Sequence, residues 1–209
     1  MQYLVIRAFK CFSIFVQFIK RLLVHCWCRI MFYVKGIQVE SFMSLGVPYF
    51  HKSLGAKVKI GRNFRMNNGF RYADSGIDGR CRIDVRDSAE LVIGDNVGIS
   101  NVTITCHRKI TIGNNVIIGV GTQIRDTDNH SLSPDDRLNG LDWANKATAP
   151  VVIGDNVFIG AGVIILKNVT IGRNSIIGAG SVVTRNVDEY SMWAENPARF
   201  IKHLKHNAN

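Results

Sequence analysis

The sequence predicts an all-β solenoid: a parallel β-helix of about six to seven coils, with an amphipathic α-helix before it and a short helical tail after it. Three observations lead to this prediction. Aliphatic residues recur at every sixth position, Gly follows many of them, and a long apolar segment without Gly or Pro precedes the repeat. We divide the chain into a helical segment (1–40), a repeat domain (41–190) and a tail (191–209).

Residues 2–33 are predicted to form one helix with a narrow polar stripe on an otherwise apolar surface. The stripe recurs every three to four residues, at Arg7, Lys10, Ser13, Gln17, Lys20, Arg21 and His25. The longest stretch without charge, between Lys10 and Lys20, is shorter than the roughly 20 residues that span a bilayer, and no signal-peptide cleavage site is recognisable. The helix therefore either lies on a membrane surface or packs against the solenoid or its copies, and the wide apolar face favours the membrane.

The formal net charge of +10 indicates an anionic partner, but the charge is unevenly distributed. Residues 1–40 hold six basic side chains and one carboxylate, Glu40, which gives this segment a net charge of +5. Arg199, Lys202 and Lys205 add a basic tail. A basic head and tail on a nearly neutral body differ from the basic stripe of a DNA-binding protein, so we expect no nucleic-acid partner.

The five cysteines favour a cytoplasmic protein with reduced thiols. None of them forms a C-x-x-C pair, and the C-x-C of Cys26 and Cys28 has no second pair to complete a zinc site. Reduced thiols are typical of the cytoplasm. Together with the predicted surface helix, this indicates a cytoplasmic protein in peripheral contact with the inner face of the cell membrane.

The repeat domain is defined by its period of six. From residue 153 an aliphatic residue occupies every sixth position: Ile153, Ile159, Ile165, Ile171, Ile177 and Val183. Earlier matches are Ile93, Ile99, Ile112, Ile118 and Ile124, with looser ones at Ile60, Ile77 and Ile83. This period fits a triangular coil with one short strand per side, and we expect coils from about residue 55 to 188. A β-sandwich would instead alternate with a period of two.

Three motifs carry a resemblance to a known family. They are Ile153-Gly-Asp-Asn-Val-Phe-Ile-Gly-Ala-Gly-Val, then Ile177-Gly-Ala-Gly-Ser-Val-Val-Thr, then Asn196-Pro-Ala-Arg. The chain resembles the hexapeptide-repeat acyltransferases, and within them it is similar to the maltose/galactoside and colanic-acid type O-acetyltransferases, over about 90 to 205. The resemblance implies a left-handed β-helix, a homotrimer, and acetyl-CoA held in a groove between neighbouring β-helices, with no metal required.

One long segment, residues 126–150, interrupts the repeat and carries His130. A solenoid that leaves its coils for so long usually does so for function. Acyl transfer to a hydroxyl needs a base, and histidine is best suited to neutral pH. A carboxylate or a backbone carbonyl should hold the other ring nitrogen, and Asp126 or Asp128 could do so. The resemblance places the family's catalytic histidine at the start of this loop, which identifies His130 as the base.

The resemblance also implies the other site residues. Asn101 matches a residue that faces the acceptor, and Phe158 and Trp143 are candidate acceptor contacts. Backbone groups of Ala161 and Ala179 would lie near the thioester and pantetheine. The positions that would line the CoA tail, whose phosphates suit basic groups, are Ser181, Thr184, Arg185, Arg199 and Lys202. Two departures are Phe158, where many relatives have Trp, and Glu195, where Gly is usual and where the local turn is therefore in doubt.

These features predict an acetyl-CoA-dependent O-acetyltransferase for a sugar hydroxyl in cell-surface polysaccharide synthesis, such as capsule, exopolysaccharide or O-antigen. Transfer would be direct, since no placed Cys or Ser nucleophile pairs with His130. Xenobiotic (chloramphenicol or streptogramin) and serine acetyltransferases are alternatives, although a membrane-surface helix favours lipid-carried glycans. A carbonic-anhydrase-like enzyme needs three His ligands, which the spacing of His107 and His130 does not provide. The non-enzyme alternative is a trimeric membrane-surface scaffold.

Overall fold

The computed structural model describes residues 2–69 and 79–205, and its main body is a parallel β-helix with three sheets. The predicted repeat position Ile77 and tail residues 206–209 lie outside the described residues.

The first sheet contains β1 (Gln38–Val39), β4 (Lys57–Ile60), β7 (Glu90–Ile93), β10 (Lys109–Ile112), β13 (Val151–Ile153) and β16 (Thr170–Ile171). The second contains β2 (Phe42–Leu45), β5 (Phe64–Asn67), β8 (Gly98–Ser100), β11 (Ile117–Ile118), β14 (Phe158–Ile159), β17 (Ile176–Ile177), β19 (Ser191–Ala194) and β20 (Arg199–His203). The third contains β3 (Tyr49–Lys52), β6 (Arg82–Val85), β9 (Thr103–Cys106), β12 (Gln123–Arg125), β15 (Ile164–Ile165) and β18 (Val182–Val183).

The chain visits the three sheets in turn, so each set of three consecutive strands from β1 to β18 forms one coil. A parallel bridge from Ile171 to Val187 begins a further coil, and the predicted six to seven coils are confirmed. We call the turn from first to second sheet the first corner, the turn from second to third the second corner, and the turn into the next coil the third corner. The coils begin at Gln38 and not at about residue 55 as predicted. The prediction missed the first coil because it is filled by aromatic residues such as Phe42 and Phe50 and lacks the Ile–Gly signature.

The core is built from aliphatic columns that run through successive coils. In the first sheet, Ile60, Ile93, Ile112, Ile153 and Ile171 lie in register, and each is at most 3% exposed. One aliphatic side chain per strand therefore points inward, as the period of six predicts, and the columns form one continuous hydrophobic core.

The first corner is organised by a ladder of asparagines. Their side-chain amides hydrogen-bond from coil to coil at 2.9–3.0 Å, in the order Asn63, Asn96, Asn115, Asn156 and Asn174. All five have φ between 56° and 59°, the left-handed conformation that Asn tolerates better than most residues. The residue type thus serves two purposes, since it permits the turn and links each coil to the next.

The helix α1 (Gln2–Val34) covers the open end of the core at the first coil, and the predicted helix over 2–33 is confirmed. Cys28 and Phe32 are buried there. The ring of Phe32 lies 4.9 Å from that of Phe42, and His25 stacks on Phe42 at 4.6 Å. The last third of the helix is therefore part of the solenoid's packing, whereas its earlier part extends beyond it with exposed side chains.

The predicted helical tail is wrong, because the described part of the tail forms two strands. Strand β19 extends the second sheet, and β20 returns antiparallel to it. The end coil of a solenoid leaves backbone donors and acceptors unpaired, and a returning strand satisfies them whereas a helix cannot. Glu195 adopts φ 87° before Asn196, so the turn is formed without the usual Gly.

Candidate functional site

The long loop leaves the third corner between the fourth and fifth coils. Its neck is a short antiparallel ribbon in which Thr127 bridges Thr148 and the Asp128 N–H donates to the Ala147 carbonyl. Beyond the neck, the loop contains two short helices, α2 (Pro134–Leu138) and α3 (Asp142–Asn145). The loop is thus a folded appendage on the solenoid.

His130 is held by a carboxylate within this loop. Its Nδ1 lies 2.6 Å from Asp142 Oδ2, and Asp142 Oδ1 accepts the Ser131 backbone N–H at 2.7 Å. The pKa of Asp142 is lowered by the hydrogen bond from His130 and then by that from Ser131. An ionised carboxylate only accepts, so in the neutral form of the ring Nδ1 carries the proton and Nε2 presents a lone pair. The imidazole side chain is 72% exposed, which leaves this lone pair accessible.

The predicted pairing of His130 with Asp126 is wrong. Asp126 is fully buried, and its carboxylate accepts the backbone N–H groups of His107, Arg108 and Lys109 at 2.7–2.8 Å. These three residues form the third-corner turn of the coil below. Asp126 therefore stabilises a backbone turn and has no contact with the candidate base.

The alternative pairing with Asp128 is also wrong. Asp128 Oδ1 forms an ion pair with Lys167 Nζ at 2.9 Å, at the third corner of the fifth coil. The residue that sequence reasoning missed is Asp142, which is 12 positions from His130. No spacing rule separates Asp142 from the other loop aspartates, because the chain doubles back through α2 before it reaches His130 again.

The rest of the loop is tied together around Ser131, which is 4% exposed. The Ser131 hydroxyl donates to Asp136 Oδ2 at 2.5 Å, and the Arg137 guanidinium donates to the Ser131 carbonyl at 2.6 Å. Asp136 also accepts a hydrogen bond from the Asn145 side chain at 2.9 Å. Both short helices are thus joined next to His130, which fixes the position of the candidate base before any ligand arrives.

Trp143, a predicted acceptor contact, lies next to Asp142 in α3 and is 57% exposed. Its ring centroid is 5.3 Å from that of His107, and Lys146 Nζ lies 3.7 Å from the ring centroid. Burial lowers the pKa of His107, and the charge of Lys146 lowers it further. The structure therefore brings Trp143 and His130 into one loop, with an exposed aromatic surface available for stacking.

The predicted residues Asn101, Ala161 and Ala179 lie at the second corner, on the third, fifth and sixth coils. Asn101 is 7% exposed with φ 47°, and its side-chain oxygen accepts the Gly69 N–H at 3.3 Å. The Ala161 carbonyl accepts the Gly180 N–H at 2.8 Å, so the fifth and sixth coils stack closely here. These residues share one corner, whereas the His130 loop occupies another.

Of the five predicted CoA-tail residues, the Ser181 prediction is wrong for its side chain. Ser181 is fully buried, and its hydroxyl donates to the Gly178 carbonyl at 2.7 Å, because this hexad position points into the corner. The other four are exposed, so three basic side chains are available for charge pairing and the Thr184 hydroxyl for a hydrogen bond. Thr184 and Arg185 lie at the third corner after β18, and Arg199 and Lys202 lie on β20.

Phe158 lies on the outer face of the second sheet and is 47% exposed. It is in register with Ile117 on one neighbouring strand and Ile176 on the other. Within one chain, Phe158 and Trp143 are therefore on different sides of the solenoid. Among the residues that the structure describes, no group of three or more His, Cys, Asp or Glu side chains could hold a metal ion.

The repeat matches the family model "Bacterial transferase hexapeptide (six repeats)" over residues 150–185. A putative acetyltransferase of Saccharomyces cerevisiae is 42% identical over 117 residues, covering 56% of this chain and 57% of that protein. Galactoside O-acetyltransferase of Lactococcus lactis is 44% identical over 69 residues, covering 33% of this chain and 31% of that protein. The matched part of the chain thus spans about half or less of these curated relatives.

The solved structures include a hexapeptide-repeat-containing acetyltransferase of Vibrio cholerae. It is 34% identical with a TM-score of 0.50, and the match covers 60% of this chain and 67% of that chain. The same Vibrio protein complexed with acetyl-CoA matches with a TM-score of 0.51, covering 60% of this chain and 64% of that one. The repeat, the three parallel sheets and these similarities fit a left-handed β-helix. The chain belongs to the hexapeptide-repeat acetyltransferases.

Proposed function

We propose that this chain transfers an acetyl group from acetyl-CoA to a hydroxyl of a sugar. The observation that carries the proposal is the pairing of His130 Nδ1 with Asp142 at 2.6 Å, which leaves Nε2 as an exposed base. The Vibrio relative, solved with acetyl-CoA, and the Lactococcus relative, named for a galactoside, support the donor and the acceptor class.

The proposed reaction is direct transfer. His130 Nε2 accepts the proton of the acceptor hydroxyl while its oxygen attacks the thioester carbonyl. The tetrahedral oxyanion then collapses, the carbon–sulfur bond breaks, and the proton passes from the imidazolium to the CoA sulfur. Asp142 stabilises the imidazolium, because its carboxylate lies 2.6 Å from Nδ1. Backbone N–H groups near Ala161 would stabilise the oxyanion.

We propose that the working form is a homotrimer and that each site uses two copies. This is supported by the separation of the candidate residues in one chain. Asn101 and Ala161 lie at the second corner, whereas His130 lies on a loop from the third. Since the solenoid core separates these corners, a neighbouring copy could bring its second corner against the loop, with acetyl-CoA between them.

Mixing two inactive variants tests the shared site. We expect His130→Ala and Asn101→Ala to be poor enzymes alone, and co-assembled chains to recover activity, because some interfaces then pair an intact His130 with an intact Asn101. The measurement is the rate of CoA thiol release after unfolding and refolding the mixture. Absence of recovery in a mixture that forms mixed trimers by mass would contradict the shared site.

Asp142→Asn tests the orientation of the base. An amide can present its NH₂ group to Nδ1 and favour the wrong tautomer, so we expect a lower kcat with little change in KM for acetyl-CoA. The loss should stay within the about 10²–10⁴-fold expected for the base itself. Steady-state kinetics check this result, with the exposed Asp135→Asn of α2 as the matched control.

The acceptor we propose is a sugar of a cell-surface polysaccharide under construction at the cytoplasmic face of the cell membrane. The support is α1, in which Phe9–Val34 is long and apolar enough to cross a membrane by length and composition and is largely exposed. A panel of glycans, chloramphenicol, streptogramin and serine, assayed by CoA release, distinguishes the acceptors. Turnover of serine or a drug above any glycan would overturn the sugar assignment, and absence of CoA binding by calorimetry would favour a scaffold.

A further inference from the structure

The helix α1 has two distinct sides along its length. Lys10, Gln17, Arg21, Cys28 and Phe32 are separated by seven or four residues, so they lie along one side. Cys28 and Phe32 are buried under the first coil. The polar stripe therefore continues directly into the surface that packs on the solenoid, and both face the same direction.

The opposite side of α1 is apolar and uncovered. Its residues follow one another at helical spacing and are all exposed, in the order Phe12, Phe15, Ile19, Leu22, Leu23, Trp27, Ile30, Tyr33 and Val34. We call this set the apolar face of α1. The face carries no charged side chain and points away from the solenoid, so nothing in the described part of the chain covers it.

The contacts of α1 also fix its direction. His25 and Phe32 both pack on Phe42, and Phe32 also contacts Phe50, so two turns of helix rest on the first coil. Seven residues of helix extend about 10 Å, whereas one coil is only about 4.8 Å thick. The helix therefore crosses the end of the solenoid and does not continue its axis.

We propose that the apolar face of α1 docks on the surface of an anionic lipid bilayer and holds the solenoid upright, with its first coil nearest the membrane. A helix across the end, with its apolar side turned outward, presents a flat surface perpendicular to the solenoid axis. An interfacial position places the apolar face of the helix in lipid and leaves its polar stripe in water. A spanning position of Phe9–Val34 would take Cys28 and Phe32 away from the first coil and into lipid.

Charge complementarity identifies the bilayer as anionic. No Asp or Glu precedes Glu40, whereas six basic residues lie between Arg7 and Lys35. The second coil adds exposed Lys57, Lys59 and Arg65 on its outer faces. These are about one coil spacing further away, which is within the roughly 10 Å over which charges act at moderate salt. The basic groups therefore lie beside and behind the docking face, where they attract anionic headgroups.

The upright orientation sets the height of the reaction, a consequence that rests on the proposed function. The His130 loop leaves the solenoid between the fourth and fifth coils, which lies about 15–20 Å above the first coil at about 4.8 Å per coil. A sugar attached directly to a lipid phosphate stays below this level. The acceptor that fits is the outer part of a lipid-linked oligosaccharide.

Vesicle binding by matched variants tests the docking face. Ile19→Glu places a carboxylate on the apolar face, and Gln17→Glu places the same carboxylate on the polar stripe two residues away. We expect the full chain to sediment with vesicles containing phosphatidylglycerol and much less with phosphatidylcholine alone. Ile19→Glu or Phe15→Glu should reduce binding at least tenfold, and Gln17→Glu only slightly. Equal losses at both positions, or no vesicle binding with association of chains through α1, would overturn the proposal.

Tryptophan fluorescence tests the orientation. Trp27 lies on the apolar face, whereas Trp143 lies in the His130 loop and Trp193 on strand β19. With brominated acyl chains in the vesicles, we expect quenching of the wild type and none of Trp27→Phe. Quenching of both to a similar degree would mean that the side of the solenoid lies on the membrane. Acetyl transfer by the wild-type chain to a soluble acceptor is measured in parallel without vesicles. Absence of this transfer would contradict the proposed function, whereas the result on membrane docking would still hold.

Discussion

Replacing His130 with alanine is expected to lower kcat about 10²–10⁴-fold, the usual contribution of a positioned general base. His130→Gln should be equally slow, because glutamine keeps a hydrogen-bond donor for Asp142 but cannot take a proton from the acceptor. Binding of acetyl-CoA should persist in both variants, since the base acts on the acceptor. Single-turnover CoA release separates the chemical step from product release.

His51→Gln is the matched control for this experiment. His51 lies on the first coil, where its Nδ1 is 2.9 Å from Asp84, and it is outside the candidate site. Its replacement should leave kcat within about twofold of wild type, because surface substitutions distant from a site have small effects. A His130 variant with near-normal turnover would remove the histidine from the mechanism and leave the family assignment intact.

Replacing Asp126 with alanine is expected to destabilise the folded chain by about 3–5 kcal/mol, because three backbone N–H groups lose a charged, buried acceptor. For a chain of this size, that corresponds to a decrease in Tm on the order of 10 °C. Thermal unfolding followed by circular dichroism measures the effect. The exposed Asp135→Ala in the same loop should unfold close to the wild-type temperature.

The kinetics of the Asp126 variants distinguish support of the backbone from a role in the reaction. If Asp126 only stabilises the turn at 107–109, the folded fraction of Asp126→Ala or Asp126→Asn keeps most of its turnover at low temperature. A Tm equal to wild type combined with a kcat as low as that of His130→Ala would restore the original prediction that Asp126 orients the base.

The solenoid could be predicted from sequence because its period is local. Each Ile at a sixth position faces the same core whatever the rest of the chain does, so Ile153 and Ile171 identify successive coils directly. The first coil escaped prediction because aromatic side chains such as Phe42 fill it under the end of α1. The tail escaped because β20 forms to pair the free edge of β19, and edge pairing leaves no periodic signal.

The site could be predicted only in part. The position of His130 in the loop follows from the interrupted repeat, but its partner depends on how the loop folds. Asp142 reaches the ring because Ser131 and Asp136 draw α2 and α3 together. Asp126, the nearer candidate in sequence, is directed into the turn of the coil below. Hydrogen bonds between residues 5 to 19 positions apart decided both outcomes, and such bonds leave no periodic signal in the sequence.

The asparagine ladder has a consequence for how the loop relates to the coils. Asn115 and Asn156 are 41 residues apart, and their amides still meet at 3.0 Å, the same distance as between Asn96 and Asn115, which are 19 apart. The coils are thus stacked without interruption at the first corner, although the long loop lies between the fourth and fifth coils in the sequence. The part of the loop beyond its neck at Thr127 and Thr148 is thus separable from the coils, so this part can be lengthened, shortened or exchanged while the coils keep their geometry.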